Sequence, residues 1–145
     1  MPYTPGRRVL VLTHTGREDA ISAALQATRM FAEEGLVSVM LEQDVAAIRA
    51  AAGDPPEFAP EALGVDCELE DITLGLVLGG DGSVLRAADF VRGHNVPLLA
   101  VNLGHVGFLA ESERTDLHRT VQAIASESYV VIERMALDLS LIHIS

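Results

Sequence analysis

The chain has 145 residues, of which 49% are apolar, and a formal net charge of −11 at pH 7. This length suits one domain, and this apolar content excludes a disordered chain. The negative charge repels nucleic acid and anionic lipid, so we expect neither as a partner. No apolar run approaches the roughly 18 residues of a membrane span, and residues 1–8 lack the apolar segment of a signal peptide. We therefore expect a cytoplasmic protein.

Strand and helix patterns alternate from the start of the chain. Residues 9–12 form a short apolar run that is typical of a buried strand. After the acidic residues Glu18 and Asp19, which suit a helix N-terminus, apolar residues recur at helical spacing over residues 21–32, and Gly35 stands where a helix C-cap glycine belongs. Residues 37–41 are apolar enough to predict a second strand.

The next segment is harder to assign. Asp44 is a candidate N-cap for a short alanine-rich helix over residues 45–52. A cluster of three prolines then predicts an exposed loop over residues 54–64. Cys67 is the one cysteine, so the chain has no internal disulfide and no cysteine-based metal motif, and we interpret Cys67 as a small, partly buried residue.

A strand, a helix and another strand follow in the second half of the chain. Residues 74–78 are apolar on both faces and predict a buried strand, as do residues 97–101. Between them, residues 83–91 predict a helix. The apolar residues of this helix that we expect to pack on a sheet are Val84, Leu85, Ala88 and Val91.

The last predicted helix has Thr115 as a candidate cap and one apolar face, formed by Leu117, Val121 and Ile124. Residues 129–139 follow with an extended pattern. Alternating strands and helices predict an α/β fold, a Rossmann-like parallel sheet with helices on both faces. Ligands of such sheets bind beyond the carboxyl ends of the strands, where the turns 13–16, 79–83 and 102–108 are expected.

The turn Gly79-Gly80-Asp81-Gly82-Ser83 joins a buried strand to a helix. Its glycines let a ligand approach the backbone closely, and the helix N-terminus offers N–H donors to phosphate or ribose oxygens. The Asp81 carboxylate could accept a hydrogen bond from a sugar hydroxyl or remove its proton. Asp81 could equally be the N-cap of the helix.

The turn over residues 102–109, Asn-Leu-Gly-His-Val-Gly-Phe-Leu, also follows a buried strand. Asn102 and the two glycines suit a sharp loop. Phe108 could stack on a nucleobase or pack in the core, and residue statistics alone favour the core.

Together these two turns resemble the ATP-NAD kinase family. The resemblance extends from Arg8 to Leu139 and includes His14-Thr15-Gly16 after the first strand. It implies transfer of the terminal phosphate of ATP, or of polyphosphate, to the 2′-hydroxyl of the adenosine ribose of NAD, which makes NADP.

The resemblance also implies roles for four residues. Asp81 would accept the proton of that hydroxyl, Asp81 and Gly82 would contact NAD, and Phe108 would pack beside the adenine. Arg86 falls where members of the family carry a nucleotide contact, although a solvated helix charge explains it equally well. We expect Mg²⁺ to be carried with ATP rather than held by a metal-ligand cluster of the chain.

The end of the chain departs from the family. We assign residues 1–139 to the nucleotide-binding α/β domain. Residues 140–145 do not resemble family sequence, so we assign them to a non-family tail that could be an artefactual end. The family's second, β-rich domain has no counterpart here. We expect this chain alone to be inactive and the complete protein to be a homo-oligomer. The alternatives are a non-catalytic nucleotide-binding fragment and a phosphofructokinase-like or lipid-kinase-like enzyme. Phosphofructokinases and lipid kinases share Gly-Gly-Asp-Gly, but their second motifs are absent.

Overall fold

Strands and helices alternate along the chain in the computed structural model, as the sequence predicts. The structure describes residues 7–13, 18–52, 60–79, 81–94, 96–101, 111–126, 130–134 and 139–143. The elements in chain order are β1 (Arg8–Thr13), α1 (Glu18–Glu33), β2 (Val37–Met40), α2 (Glu42–Ala52), β3 (Glu61–Ala62), a 3₁₀ turn (Leu69–Asp71), β4 (Ile72–Leu78), α3 (Asp81–Phe90), β5 (Leu98–Val101), α4 (Glu111–Ala125), β6 (Val130–Arg134) and β7 (Leu139–His143).

The seven strands form one sheet in the order β3-β2-β1-β4-β5-β7-β6. Strands β1 to β5 are parallel to their neighbours, and β7 is parallel to β5. The edge strand β6 is antiparallel to β7, with Ile132 opposite Leu141. The sheet is therefore parallel as predicted, except at this edge.

Buried apolar residues pack on both faces of the sheet, because side chains alternate along each strand. On the first face, Val9, Val11 and alternate residues of β4 pack against α1, α2 and α4. On the second face, Leu10 and Val77 pack against α3 and against Cys67. Helices on both faces confirm the predicted architecture.

A β-bulge lies near the start of β4. Arg8 pairs with Ile72, but Val9 pairs with Leu74, so Thr73 is the extra residue of β4. Thr73 is exposed, whereas the five residues after it are buried. The bulge thus changes the side-chain alternation before the buried part of β4 begins.

Two glycines lie where the sequence and the packing require them. Gly35 lies two residues beyond the end of α1 and has φ of +77°, the left-handed conformation expected of a C-cap glycine. A Cβ at Gly75 would lie 2.8 Å from Leu98 Cδ2, so β4 and the neighbouring side chain of β5 approach closely there.

Both predicted N-caps are wrong, because each helix begins earlier than the sequence indicated. Helix α2 begins at Glu42, and the amide of Val45 donates to the Leu41 carbonyl over 3.0 Å, so Asp44 lies within the first turn. Helix α4 begins at Glu111, so Thr115 lies in its second turn. Acidic residues in a first turn are favourable beside the positive end of the helix dipole. This explains why α2 and α4 can each begin at a glutamate.

Two further predictions need correction. Leu85 was expected to pack on the sheet, but 66% of it is exposed. The predicted loop over residues 54–64 contains a buried proline, Pro60, and the strand Glu61–Ala62, which pairs with β2; residues 54–59 lie outside the described residues. The extended pattern over residues 129–139 is confirmed for Val130–Arg134.

The segment assigned to a non-family tail takes part in the sheet. Ser140 to His143 belong to β7, which lies between β5 and β6. Leu141 pairs with Leu98 of β5 on one side and with Ile132 of β6 on the other.

Candidate functional site

The order of the strands reverses direction beside β1, which gives the sheet a switch point. From β1 the chain proceeds outwards to β2 and β3, and then returns to the other side of β1 as β4. Helices α1 and α3, which follow β1 and β4, pack on opposite faces of the sheet, and α/β proteins bind ligands beyond the carboxyl ends of the strands at such a switch point. Thr13 pairs with Leu78 at these ends.

Gly79 follows β4 directly and is hydrogen-bonded to the neighbouring strand β5. Its φ is 156°, a positive value that residues with a Cβ disfavour. Its amide donates to the Val101 carbonyl over 3.1 Å. Since Val101 is the last residue of β5, this bond holds Gly79 beside the carboxyl end of β5.

Asp81 and Gly82 are the first two residues of α3. The first amides of a helix have no partner within the helix, and the aligned peptide dipoles make this end positive. The structure therefore brings Asp81 and Gly82 to a helix N-terminus at the carboxyl end of β4. A backbone arrangement of this kind suits an oxygen-rich, negatively charged ligand.

Helix α3 is anchored at its other end. Ala87 and Val91 are 3% and 4% exposed and pack in the core of the second face. Arg86 lies in the second turn of α3 and is exposed. Because Arg86 is exposed, a ligand at the start of α3 could reach its guanidinium.

The remaining predicted contacts lie outside the described residues. These are Phe108 with the rest of the turn over residues 102–109, and the turn over residues 14–16. The structure thus brings Asp81, Gly82 and Arg86 onto one helix at the switch point. It leaves the role of Phe108 as a prediction.

Sequence reasoning did not single out Thr13. Its Oγ1 atom is buried at the carboxyl end of β1 and has no hydrogen-bond partner among the described residues. The signals in the sequence were its place in the predicted turn 13–16 and a hydroxyl directly after an apolar run, which is common at strand ends.

A second group of polar residues lies at the opposite end of β1. Arg8 Nε donates to Glu61 Oε1 over 2.7 Å, and this hydrogen bond raises the pKa of Arg8 above its usual value. Burial raises the pKa of the nearby Cys67 thiol, with a further contribution from Glu61. The thiolate is the nucleophilic form of a cysteine, so this environment disfavours reaction at Cys67.

Two searches of the described residues bear on other kinds of site. Within those residues, no group of three or more His, Cys, Asp and Glu side chains could hold a metal ion. No helix in the same part of the chain is long and apolar enough to cross a membrane.

Comparisons with known proteins agree with the geometry. A family model described as the ATP-NAD kinase N-terminal domain matches residues 9–129. An NAD kinase of Leifsonia xyli is 47% identical over 132 residues, which are 90% of this chain and 42% of that protein. An NAD kinase of Thermobifida fusca is 42% identical over 139 residues, with 94% of this chain and 42% of that protein covered.

A solved structure shares the fold. The crystal structure of yeast NADH kinase complexed with NADH matches with a TM-score of 0.67 at 19% identity, over 90% of this chain and 41% of that chain. At this identity the match establishes the fold alone. The chain spans less than half the length of the relatives it matches.

Proposed function

This chain belongs to the ATP-NAD kinase family, and we propose that the complete protein is an NAD kinase that phosphorylates the 2′-hydroxyl of the adenosine ribose of NAD to make NADP. The observation that carries this proposal is the helix that begins at Asp81, directly beyond the carboxyl end of β4 and beside the switch point. ATP is the proposed donor, and polyphosphate is the alternative donor in the same reaction class.

Asp81 is the proposed general base. The ribose oxygen attacks the terminal phosphorus of ATP, a new O–P bond forms, and the bond from that phosphorus to the bridging oxygen breaks to release ADP. The hydroxyl proton passes to the Asp81 carboxylate. Because a ribose hydroxyl is a very weak acid, this transfer helps only while the O–P bond forms.

Most of the acceleration would come from positioning. The donor phosphate and the acceptor hydroxyl must lie in line, and a held geometry of this kind can contribute about 7–11 kcal/mol to the lowering of a barrier. ATP enters as its magnesium complex, in which the metal neutralises phosphate charge. Gly82 leaves room for the nucleotide at the first turn of α3, where free amides face it.

Arg86 and Phe108 are the proposed further contacts to NAD. Arg86 is exposed in the second turn of α3, so its charge is available to phosphate. Phe108 would stack beside the adenine. In the complete protein, Arg86→Gln and Phe108→Ala should each raise KM for NAD, with a smaller change in melting temperature. If Phe108→Ala greatly lowered stability but left KM for NAD unchanged, Phe108 would pack in the core instead of beside the adenine.

The alternative proposal is that this chain binds nucleotide without transferring phosphate. It rests on the length of the match, which covers 42% of the Leifsonia xyli relative. The Asp81 turn would supply one wall of a cleft, and one wall alone does not hold donor and acceptor in line. The 145-residue chain alone should therefore make no NADP above background.

Activity assays on both forms separate these proposals. The complete protein with NAD, ATP and Mg²⁺ should form NADP, and the same protein without a phosphoryl donor should not. If the complete protein formed no NADP with ATP and none with polyphosphate, the proposed function would be refuted. Robust NADP formation by the 145-residue chain, abolished by Asp81→Asn, would instead refute its proposed inactivity.

We further propose that the complete protein acts in the cytoplasm as a homo-oligomer. ATP and NAD are both available there, and the acidic chain offers no general attraction to anionic membranes. Light scattering on the purified complete protein would test the oligomer, since a monomeric mass would contradict it. Fractionation of the source cells would test the compartment.

A further inference from the structure

We draw no further inference here: the strongest candidate, the exposed apolar side chains of Leu85 and Phe90 on α3, carries nothing because no feature of the described residues shows what covers them.

Discussion

The helices on the two faces of the sheet bury their apolar residues to different degrees. On the first face, α1, α2 and α4 cover the strands, and α4 buries Leu117 and Ile124 almost completely. On the second face, α3 buries Ala87 but leaves Leu85 66% exposed and Phe90 42% exposed. Both α3 and α4 follow buried strands of the same sheet, so an amphipathic sequence alone does not ensure equal burial.

This difference suggests a division of roles. Burial of a large aliphatic side chain contributes about 1.5–3 kcal/mol to stability, so the α4 face contributes strongly to the folded state. Among the α3 residues whose burial is described, Ala87 is the buried one, and the N-terminus of α3 lies at the switch point, where the proposed base lies. We therefore expect substitutions on α4 to change stability and substitutions at the start of α3 to change activity.

The largest expected effect concerns Asp81. In the complete protein, Asp81→Asn should lower kcat by on the order of 10²–10⁴, because the amide cannot accept the ribose proton. The melting temperature should change little, since Ala87 and Val91 still anchor α3. Steady-state formation of NADP measures the first quantity and thermal unfolding measures the second.

The matched control for this variant is Asp89→Asn. Asp89 lies on the same helix, its side chain is 78% exposed, and it pairs with Arg92 over 3.6 Å. This variant should keep kcat near the unmodified value. Equal activity of both variants would remove Asp81 from the mechanism.

A pair of leucines tests the contrast in burial directly. Leu117→Ala in α4 should lower the free energy of unfolding by about 2–5 kcal/mol, because it leaves a cavity in the core. Leu85→Ala in α3 should change it by no more than about 0.5 kcal/mol. Urea denaturation of the 145-residue chain gives both values, and similar losses would mean that the two helices do not differ.

The end of α4 carries a smaller stabilising contact. Arg7 donates from Nη1 to the Ile124 carbonyl over 3.2 Å and from Nη2 to the Ala125 carbonyl over 2.6 Å. A cation at this end satisfies free carbonyls and opposes the negative end of the helix dipole. Arg7→Gln should therefore lower the free energy of unfolding by about 1–2 kcal/mol.

Arg119→Gln is the comparison for Arg7. Arg119 pairs with Asp116 over 3.6 Å, and these side chains are 78% and 60% exposed. A surface pair of this kind contributes at most about 1 kcal/mol and is commonly without measurable effect. If Arg119→Gln lowered the free energy of unfolding as much as Arg7→Gln, the contact of Arg7 with α4 would contribute no more than a surface ion pair.

Ser38→Ala is expected to have a small effect on stability, of the opposite sign. Ser38 pairs with Val9, is 4% exposed, and its hydroxyl has no hydrogen-bond partner among the described residues. Ser38→Ala removes this buried polar atom, so the free energy of unfolding should stay the same or rise by up to about 1 kcal/mol. A clear loss of stability would show that the hydroxyl of Ser38 has a partner.

Ser126→Ala is the matched control for Ser38. The hydroxyl of Ser126 donates to the Gln122 carbonyl over 2.8 Å at the end of α4. Its removal should lower stability by a few tenths of a kcal/mol, because that bond is exposed. The two serines should thus differ in the sign of their effect.

Several features were determined by the sequence alone. The apolar runs that became β1, β4 and β5 predicted strands covered on both faces, and residues 9–11, 74–78, 98, 99 and 101 are buried, whereas Ala100 is exposed. Gly35 predicted the end of α1 through its tolerance of positive φ. The glycine turn around Asp81 and the turn after β5 predicted a family, which the match over residues 9–129 confirmed.

Other features were decided by tertiary structure. Helical spacing placed Leu85 among core residues, but the exposure of Leu85 depends on how much of α3 the sheet covers. The cap predictions at Asp44 and Thr115 failed because local sequence can start a helix at several nearby polar residues. The contact of Arg7 with Ile124 joins residues 117 positions apart, which no local pattern indicates. Strand order likewise arises from packing between distant segments, and this order creates the switch point at which Asp81 lies.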